Sequence, residues 1–318
     1  MSPFTQQFFA LGSDCTLHLY APNEADARQA AAAAMAEIGR IEARYSRYRA
    51  DSELSRINQI AAAGGTVDVD AETAGLLNYA YACFNKSGGL FDITSGLLRN
   101  AWNFSLPRLP EREAIAALLP RIGLDKITWD DPHLTFTVPG MAIDFGGIGK
   151  EYAVDRAASV CAALGISHGL VDLGGDIRLI GPRLDGTPWR VGIRHPRNAA
   201  VPMADIALMS GALATSGDYE RFIEVDGLRY CHILDPRTGW PARGLSSVSV
   251  IASECLVAGT LSTTAMLKGR DGIAWLKALG VRHIFMDEEG RVGGTEMDRT
   301  RKLGRLIEEY SIQLMSLY

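Results

Sequence analysis
An α+β fold is the architecture this sequence predicts, and three observations carry the prediction. Hairpin signals such as Asp226-Gly227 sit beside strand–turn–helix units. Capped helical stretches are interspersed with short β-type runs in no regular order. No βαβ alternation is sustained, so a doubly wound parallel sheet is not expected. The 318 residues are 47% hydrophobic and 22% charged, an ordinary globular composition that suits one unit over 1–318.

The elements follow in order. Gln6–Tyr20 alternates as a strand interrupted at Leu11-Gly12-Ser13, where the glycine either brings backbone to a ligand or forms a bulge. Asn23 caps an Ala-rich helix from Glu24 to about Tyr45. The Arg and Tyr residues after Tyr45 form either a ligand rim or a solvated face, and Ser52 opens a short helix. Asp70 caps Ala71–Lys86, which stops at Ser87-Gly88-Gly89. Pro107–Pro110 is a loop, Glu111–Leu119 a short helix, and Ile127–Trp129 pairs with Leu134–Val138. Met141–Phe145 reads as a strand, Lys150 opens the next helix, and Gly169–Leu173 is a second strand. Trp189–Ile193, Met203–Met209, Glu220–Val225, Leu228–Leu234, Ser246–Ile251 and Arg282–Asp287 read as strands. Ser253–Leu267 and Asp271–Leu279 read as helices, and Arg301–Leu314 as weakly helical.

A net charge of −5 argues against a broad nucleic-acid surface. Five scattered cysteines without a CxxC pair, no basic-then-apolar leader and no long apolar run predict a cytoplasmic chain without a membrane span. The chemical signal is the recurrence of Asp-apolar-Gly-Gly at Asp144 and Asp172, with Lys150 beside the first copy. Glycine pairs let backbone approach a ligand, and a helix N-terminus with a lysine suits phosphate. Ordinary tight turns explain one such pair; two pairs with a lysine favour a phosphate or metal–phosphate site. The turns are not GxGxxG, so a dinucleotide Rossmann site is not supported.

Several segments, in order along nearly the whole chain, resemble the ApbE family of FAD:protein FMN transferases. They are Leu11-Gly12-Ser13, YSRYRADSELSRIN at 45–58, GLFDIT at 89–94, IDFGGIGKEYAVD at 143–155, VDLGGDI at 171–177, TSGDYER at 215–221 and HILDPRTGWP at 232–241. The resemblance implies a T-fold-related α+β fold of mixed sheets, with FAD in a cleft between two interlocked parts. It implies transfer of FMN from FAD to a threonine of an acceptor flavoprotein, with Mg2+ assisting. By position it places Leu11, Tyr48, Leu90, Phe91, Asp92, Asp144, Lys150 and Ile233 on FAD. It places the backbone of Gly147 and the side chain of Thr263 on the metal. His232 and Asp144 are the catalytic candidates, because an acceptor hydroxyl must lose its proton near phosphorus. Tyr48 and Phe91 suit ring contacts and core packing equally, and His232 suits a base and a hydrogen-bonded strand histidine equally.

One departure stands out. The family's metal helix carries an aspartate four residues before its threonine, and here that position is Gly259. Glu254 lies on the same helix in the wrong phase to replace it, which leaves Asp144, Asp172 and Asp176 as carboxylates that compensate from the turns. The family's small residue after the lysine is here Glu151, an acid near the phosphates. Alongside transfer, FAD binding without turnover and FAD pyrophosphatase activity therefore remain readings of the same site.

Overall fold
The structure, a computed structural model, describes residues 1–297. In chain order it contains β1 (Ser2–Ala10), β2 (Ser13–Ala21), α1 (Glu24–Tyr45), α2 (Glu53–Ala63), β3 (Gly65–Asp68), α3 (Ala71–Ser87) and a 3-10 segment at Ile93–Asn100. Next come α4 (Arg112–Leu118), β4 (Ile127–Asp130), β5 (His133–Phe136), α5 (Gly149–Ala163), β6 (His168–Leu173), β7 (Asp176–Gly181), β8 (Trp189–Arg194) and β9 (Pro202–Leu208). Then follow β10 (Ala212–Gly217), β11 (Phe222–Val225), β12 (Leu228–Cys231), β13 (Leu245–Ala252), α6 (Cys255–Lys268), α7 (Asp271–Ala278), β14 (Arg282–Asp287) and β15 (Val292–Gly293).

An eight-stranded antiparallel sheet in the order β1-β2-β6-β7-β10-β13-β14-β15 organises the chain, which confirms the α+β class. Helices α1, α5 and α6 cover one face. On β2 the alternation sends Cys15, Leu17, Leu19 and Ala21 into that layer. Helix α1 turns Ala27, Ala30, Ala31, Ala34, Ile38 and Ile41 inward at helical spacing, and α5 answers with Ala153, Ala157, Ala158 and Cys161. Small residues on both sides let the two helices pack closely. The opposite face is covered by the β8–β9 ribbon, whose Trp189, Val191 and Ile193 bury against Leu170, Ile177 and Leu213. A third apolar cluster, with Leu98, Trp102, Ile115 and Leu234 buried, holds the loop after β12.

Asp155 on α5 caps the neighbouring helix α6. Its carboxylate accepts from Cys255 N at 2.9 Å and Leu256 N at 2.9 Å, satisfying two backbone donors that no side chain of α6 itself caps. Asp155→Ala should cost about 1–2 kcal/mol, in the range of strong N-caps, and lower Tm by a few degrees. An unchanged melting curve would count against the cap.

Several expectations are corrected. Gln6–Tyr20 is two strands of a hairpin, and Leu11-Gly12 is its two-residue tip with φ of 53° and 73°. Both positions need positive φ to match strand twist, and only Gly12 is suited to it, so the sequence hid the turn. Met141–Phe145 joins no sheet. A side-chain amide replaces a neighbouring strand there: Asn58 donates to Ile143 O at 2.9 Å and accepts from Ile143 N at 2.8 Å. Strand β3 was not anticipated, nor was β10, whose Ala, Thr and Ser residues carry weak β signal. β10 needs small side chains because α6 packs directly on it. His232–Leu234 leaves the ladder of β12 and is pinned instead by a bridge from Leu234 to Pro241. The expectation for Arg301–Leu314 lies outside the described residues. Among the described residues no helix is long and apolar enough to cross a membrane.

Candidate active site
One cavity of about 1350 Å³ opens between the sheet, the β8–β9 ribbon and the loops at 90–99 and 144–151. It collects every candidate named from the sequence: Leu11, Tyr48, Leu90, Phe91, Asp92, Asp144, Gly147, Lys150, His232, Ile233 and Thr263. Both glycine pairs line it as well. The volume exceeds the usual span of small-ligand pockets and suits a dinucleotide-sized molecule.

Two hairpin tips meet on one wall. Gly174-Gly175 joins β6 to β7 with φ of 63° and 90°, the two-residue turn that needs positive φ twice. A Cβ on Gly174 would lie 2.8 Å from Ser13 Cβ, so the glycine also allows the tips to touch. Leu11 holds its φ of 53° because its N–H donates to Glu42 Oε1 at 3.0 Å. A leucine held in a left-handed conformation costs about 1–2 kcal/mol, and this one sits on the cavity wall.

The other Asp-Gly-Gly turn is a clamp. Asp144 accepts from Gly146 N at 2.9 Å, pairs with Arg47 at 2.7 Å, and has Arg99 at 3.9 Å. With a backbone N–H and two guanidiniums around it, this carboxylate has the geometry of an anchor for the bend. Asp92 is likewise engaged within the protein. Burial raises its pKa, and its oxygens accept from Thr94 N, Thr94 Oγ1 and Leu124 N. Gly147 lies against Phe91, whose Cζ would be 3.2 Å from a Cβ there. Phe91 and Leu90 are buried wall residues, whereas Tyr48 is 81% exposed at the rim under the Arg47 guanidinium.

Lys150 and His232 define the polar floor. Burial works against the Lys150 charge, but Asp176 at 2.6 Å more than offsets it and the ammonium persists. Burial pushes the His232 pKa down to about 4, and Arg99, Arg221 and Lys150 push in the same direction. The remaining exposure of His232 is to the cavity it lines. The ring sits 3.2 Å from Arg221 O through Nδ1. A neutral ring donating from Nδ1 keeps the lone pair on Nε2. The loop His232–Pro241 holds that ring in place. Asp235 N donates to Trp240 O at 2.9 Å, Ala242 N to Ile233 O at 2.8 Å, and Trp102 Nε1 to Gly239 O at 2.8 Å.

Sequence reasoning missed Arg99, Arg194 and Trp189 as cavity residues, and gave Arg221 no role. Arg221 lies within a quoted motif, the one signal that pointed to it. The others sit on unremarkable stretches, and only folding brings them to the cavity.

Glu151 and α6 form a further group on the wall. Glu151 is buried, and burial pushes its pKa well up, with Asp176 raising it further and Lys150 opposing. Its Oε2 has no hydrogen-bond partner. Thr263 Oγ1 and Ser262 Oγ each lie 2.8 Å from Ser216 Oγ. Among the described residues no three His, Cys, Asp or Glu side chains are grouped to hold a metal ion. The donor set nevertheless fits Mg2+, which takes one or two carboxylates and completes its shell with substrate phosphates and water. A buried carboxylate oxygen without a partner, on the same cavity wall as the Ser216 and Thr263 hydroxyls, is such a partial set.

A family model described as the ApbE family matches residues 11–285. Among curated relatives, the FAD:protein FMN transferase of Haemophilus influenzae is 32% identical over 242 residues, which is 73% of this chain and 70% of its own length. The FAD:protein FMN transferase of Vibrio cholerae is 33% identical over 254 residues, 77% of this chain and 76% of its own length. Among solved structures, the ApbE protein of Thermotoga maritima matches with a TM-score of 0.86 and 34% identity, over 94% of this chain and 99% of that one. The flavinyl transferase ApbE of Pseudomonas stutzeri matches with a TM-score of 0.83 and 30% identity, over 92% and 95%. Motif order, sheet topology and these matches agree, and the chain belongs to the ApbE family.

Proposed function
We propose that this protein is an FAD:protein FMN transferase that moves FMN from FAD to a threonine hydroxyl of an acceptor flavoprotein. The observation that carries the reading is the convergence of Arg99, Arg221 and Lys150 on His232 inside one large cavity between two glycine bends. The same cations that add to burial in keeping the imidazole neutral suit a diphosphate. Names of relatives along most of the chain support the flavin as its carrier.

The reaction forms a bond between the acceptor oxygen and the FMN phosphorus, and it breaks the bond from that phosphorus to the bridging oxygen. AMP leaves with the bonding pair, and the acceptor proton passes to Nε2 of His232. Lys150, Arg99 and Arg221 hold the diphosphate and spread the charge that grows on the leaving phosphate. Leu90, Phe91 and Ile233 supply an apolar wall for the flavin end, Leu11 turns its tip toward it, and Tyr48 borders the mouth. Asp144 and Asp92 position the bend and the loop that carry these groups, and the backbone at Gly147 and the hydroxyl of Thr263, both on the cavity wall, are the groups this reading assigns to a metal contact. Bound Mg2+ would neutralise phosphate charge, held by Glu151, Asp176 and Thr263. The reading as a silent flavin binder rested on Gly259 lacking a ligand atom. Glu151, whose carboxylate fills the space beside Gly259, weakens that ground.

Incubation of the protein with FAD, Mg2+ and a threonine-bearing acceptor domain tests the proposal. Mass spectrometry should show FMN on the acceptor threonine with one AMP released per transfer. FMN and AMP produced in equal amounts without any acceptor adduct would indicate the pyrophosphatase instead. FAD bound without either product would indicate a binding protein.

A further inference from the structure
The buried Oε2 of Glu151 is a costly group to leave without a partner. Lys150, next to it in sequence, does not supply one, because its Nζ pairs with Asp176 at 2.6 Å. The Glu151 side chain instead lies across α6 at Gly259. A Cβ built there would meet Glu151 Cγ at 2.5 Å and Oε1 at 2.8 Å, so glycine is what leaves the carboxylate its place. One helical turn further along the same face stands Thr263, hydrogen-bonded to Ser216 at 2.8 Å. Glu151, Asp176, Ser216 and Thr263 all line the cavity, and all of them offer oxygen.

We infer that Glu151 is the principal carboxylate ligand of a hard divalent cation in this cavity, reaching it from α5 across the bare Cα of Gly259. Asp176, Thr263 and Ser216 border the same cation. Glycine at 259 and glutamate at 151 thus form a matched pair, in which the charge sits on α5 and the space on α6. The inference rests on the flavin-diphosphate reading of the cavity, since phosphate oxygens complete the cation's shell.

Mn2+ titration followed by electron paramagnetic resonance, with and without FAD, tests the pair directly. The wild type should take up one Mn2+ per chain with FAD present. Glu151→Gln, which preserves shape and removes charge, should weaken uptake by about tenfold or more. Gly259→Asp alone should gain no affinity and should melt earlier, because its Cβ collides with Glu151. Glu151→Gly combined with Gly259→Asp moves the carboxylate back onto α6 and should regain most of the affinity. Wild-type Mn2+ affinity in Glu151→Gln, or no Mn2+ uptake by the wild type in either condition, would overturn the inference. Flavin fluorescence in metal-free buffer separates the two readings. FAD binding with Mn2+ uptake insensitive to Glu151 removes only the ligand assignment, whereas absence of FAD binding removes the flavin reading itself.

Discussion

His232→Ala should lower kcat by about 10²–10³-fold while leaving FAD bound, because a positioned base contributes about that much to a proton transfer. The affinity is expected to survive because Lys150, Arg99 and Arg221 remain to hold the diphosphate. The pH profile gives a sharper reading. A base must be neutral to act, and burial with three neighbouring cations drives the His232 pKa down to about 4. The acid limb of kcat/KM that His232→Ala abolishes should therefore lie near pH 4 rather than between pH 8 and pH 6. Bound diphosphate opposes those cations, so the acid limb of kcat itself should lie higher. The same shift affects stability. The unfolded chain takes up a proton near pH 6.5 that the folded ring refuses, so native stability present above that pH is lost as pH falls toward 4. His232→Ala should lose less stability than wild type between pH 7 and pH 4.5. A kcat/KM limb near 6.5, or a variant with undiminished kcat, would remove His232 from the role.

Lys150→Met should weaken FAD binding by roughly 10–100-fold, the size of one charge-assisted hydrogen bond to phosphate. It should also destabilise the protein. The Asp176 side chain is 4% exposed and would be left as a buried charge without its cation. Breaking a fully buried pair costs about 3–5 kcal/mol, but the Lys150 side chain is 31% exposed to the cavity, so about 2 kcal/mol is expected. Lys150→Met with Asp176→Asn removes both charges and should recover most of that loss in Tm without recovering FAD affinity. Calorimetric melting and flavin fluorescence on the same samples separate the two effects. FAD affinity that returns in the double variant would mean that Lys150 acts on the fold rather than on phosphate.

The candidate site was legible where function is written into local geometry. A Gly-Gly pair after an aspartate turns the chain wherever it occurs, and both copies arrive at one cavity because the turns end elements that pack together. What the residues do there was less legible. Asp92 and Asp144 look alike in sequence to catalytic carboxylates, yet their oxygens are taken up by Thr94 and Leu124 in one case and by Arg47 and Gly146 in the other. Arg99 sits on a 3-10 turn and Trp189 on a ribbon strand, with no spacing that announces a ligand.

Sequence alone determined the α+β class, the two glycine bends, the lysine that opens the helix between them and the family. These follow from caps, turn residues and short-range patterning, which act over a few positions of the chain. Tertiary structure alone decided that Leu11-Gly12 is a hairpin tip, that Met141–Phe145 leans on an asparagine instead of a strand, and that Glu151 stands over Gly259. Each of these depends on which distant side chain occupies a given few ångströms, and close packing settles that only when the whole core has formed.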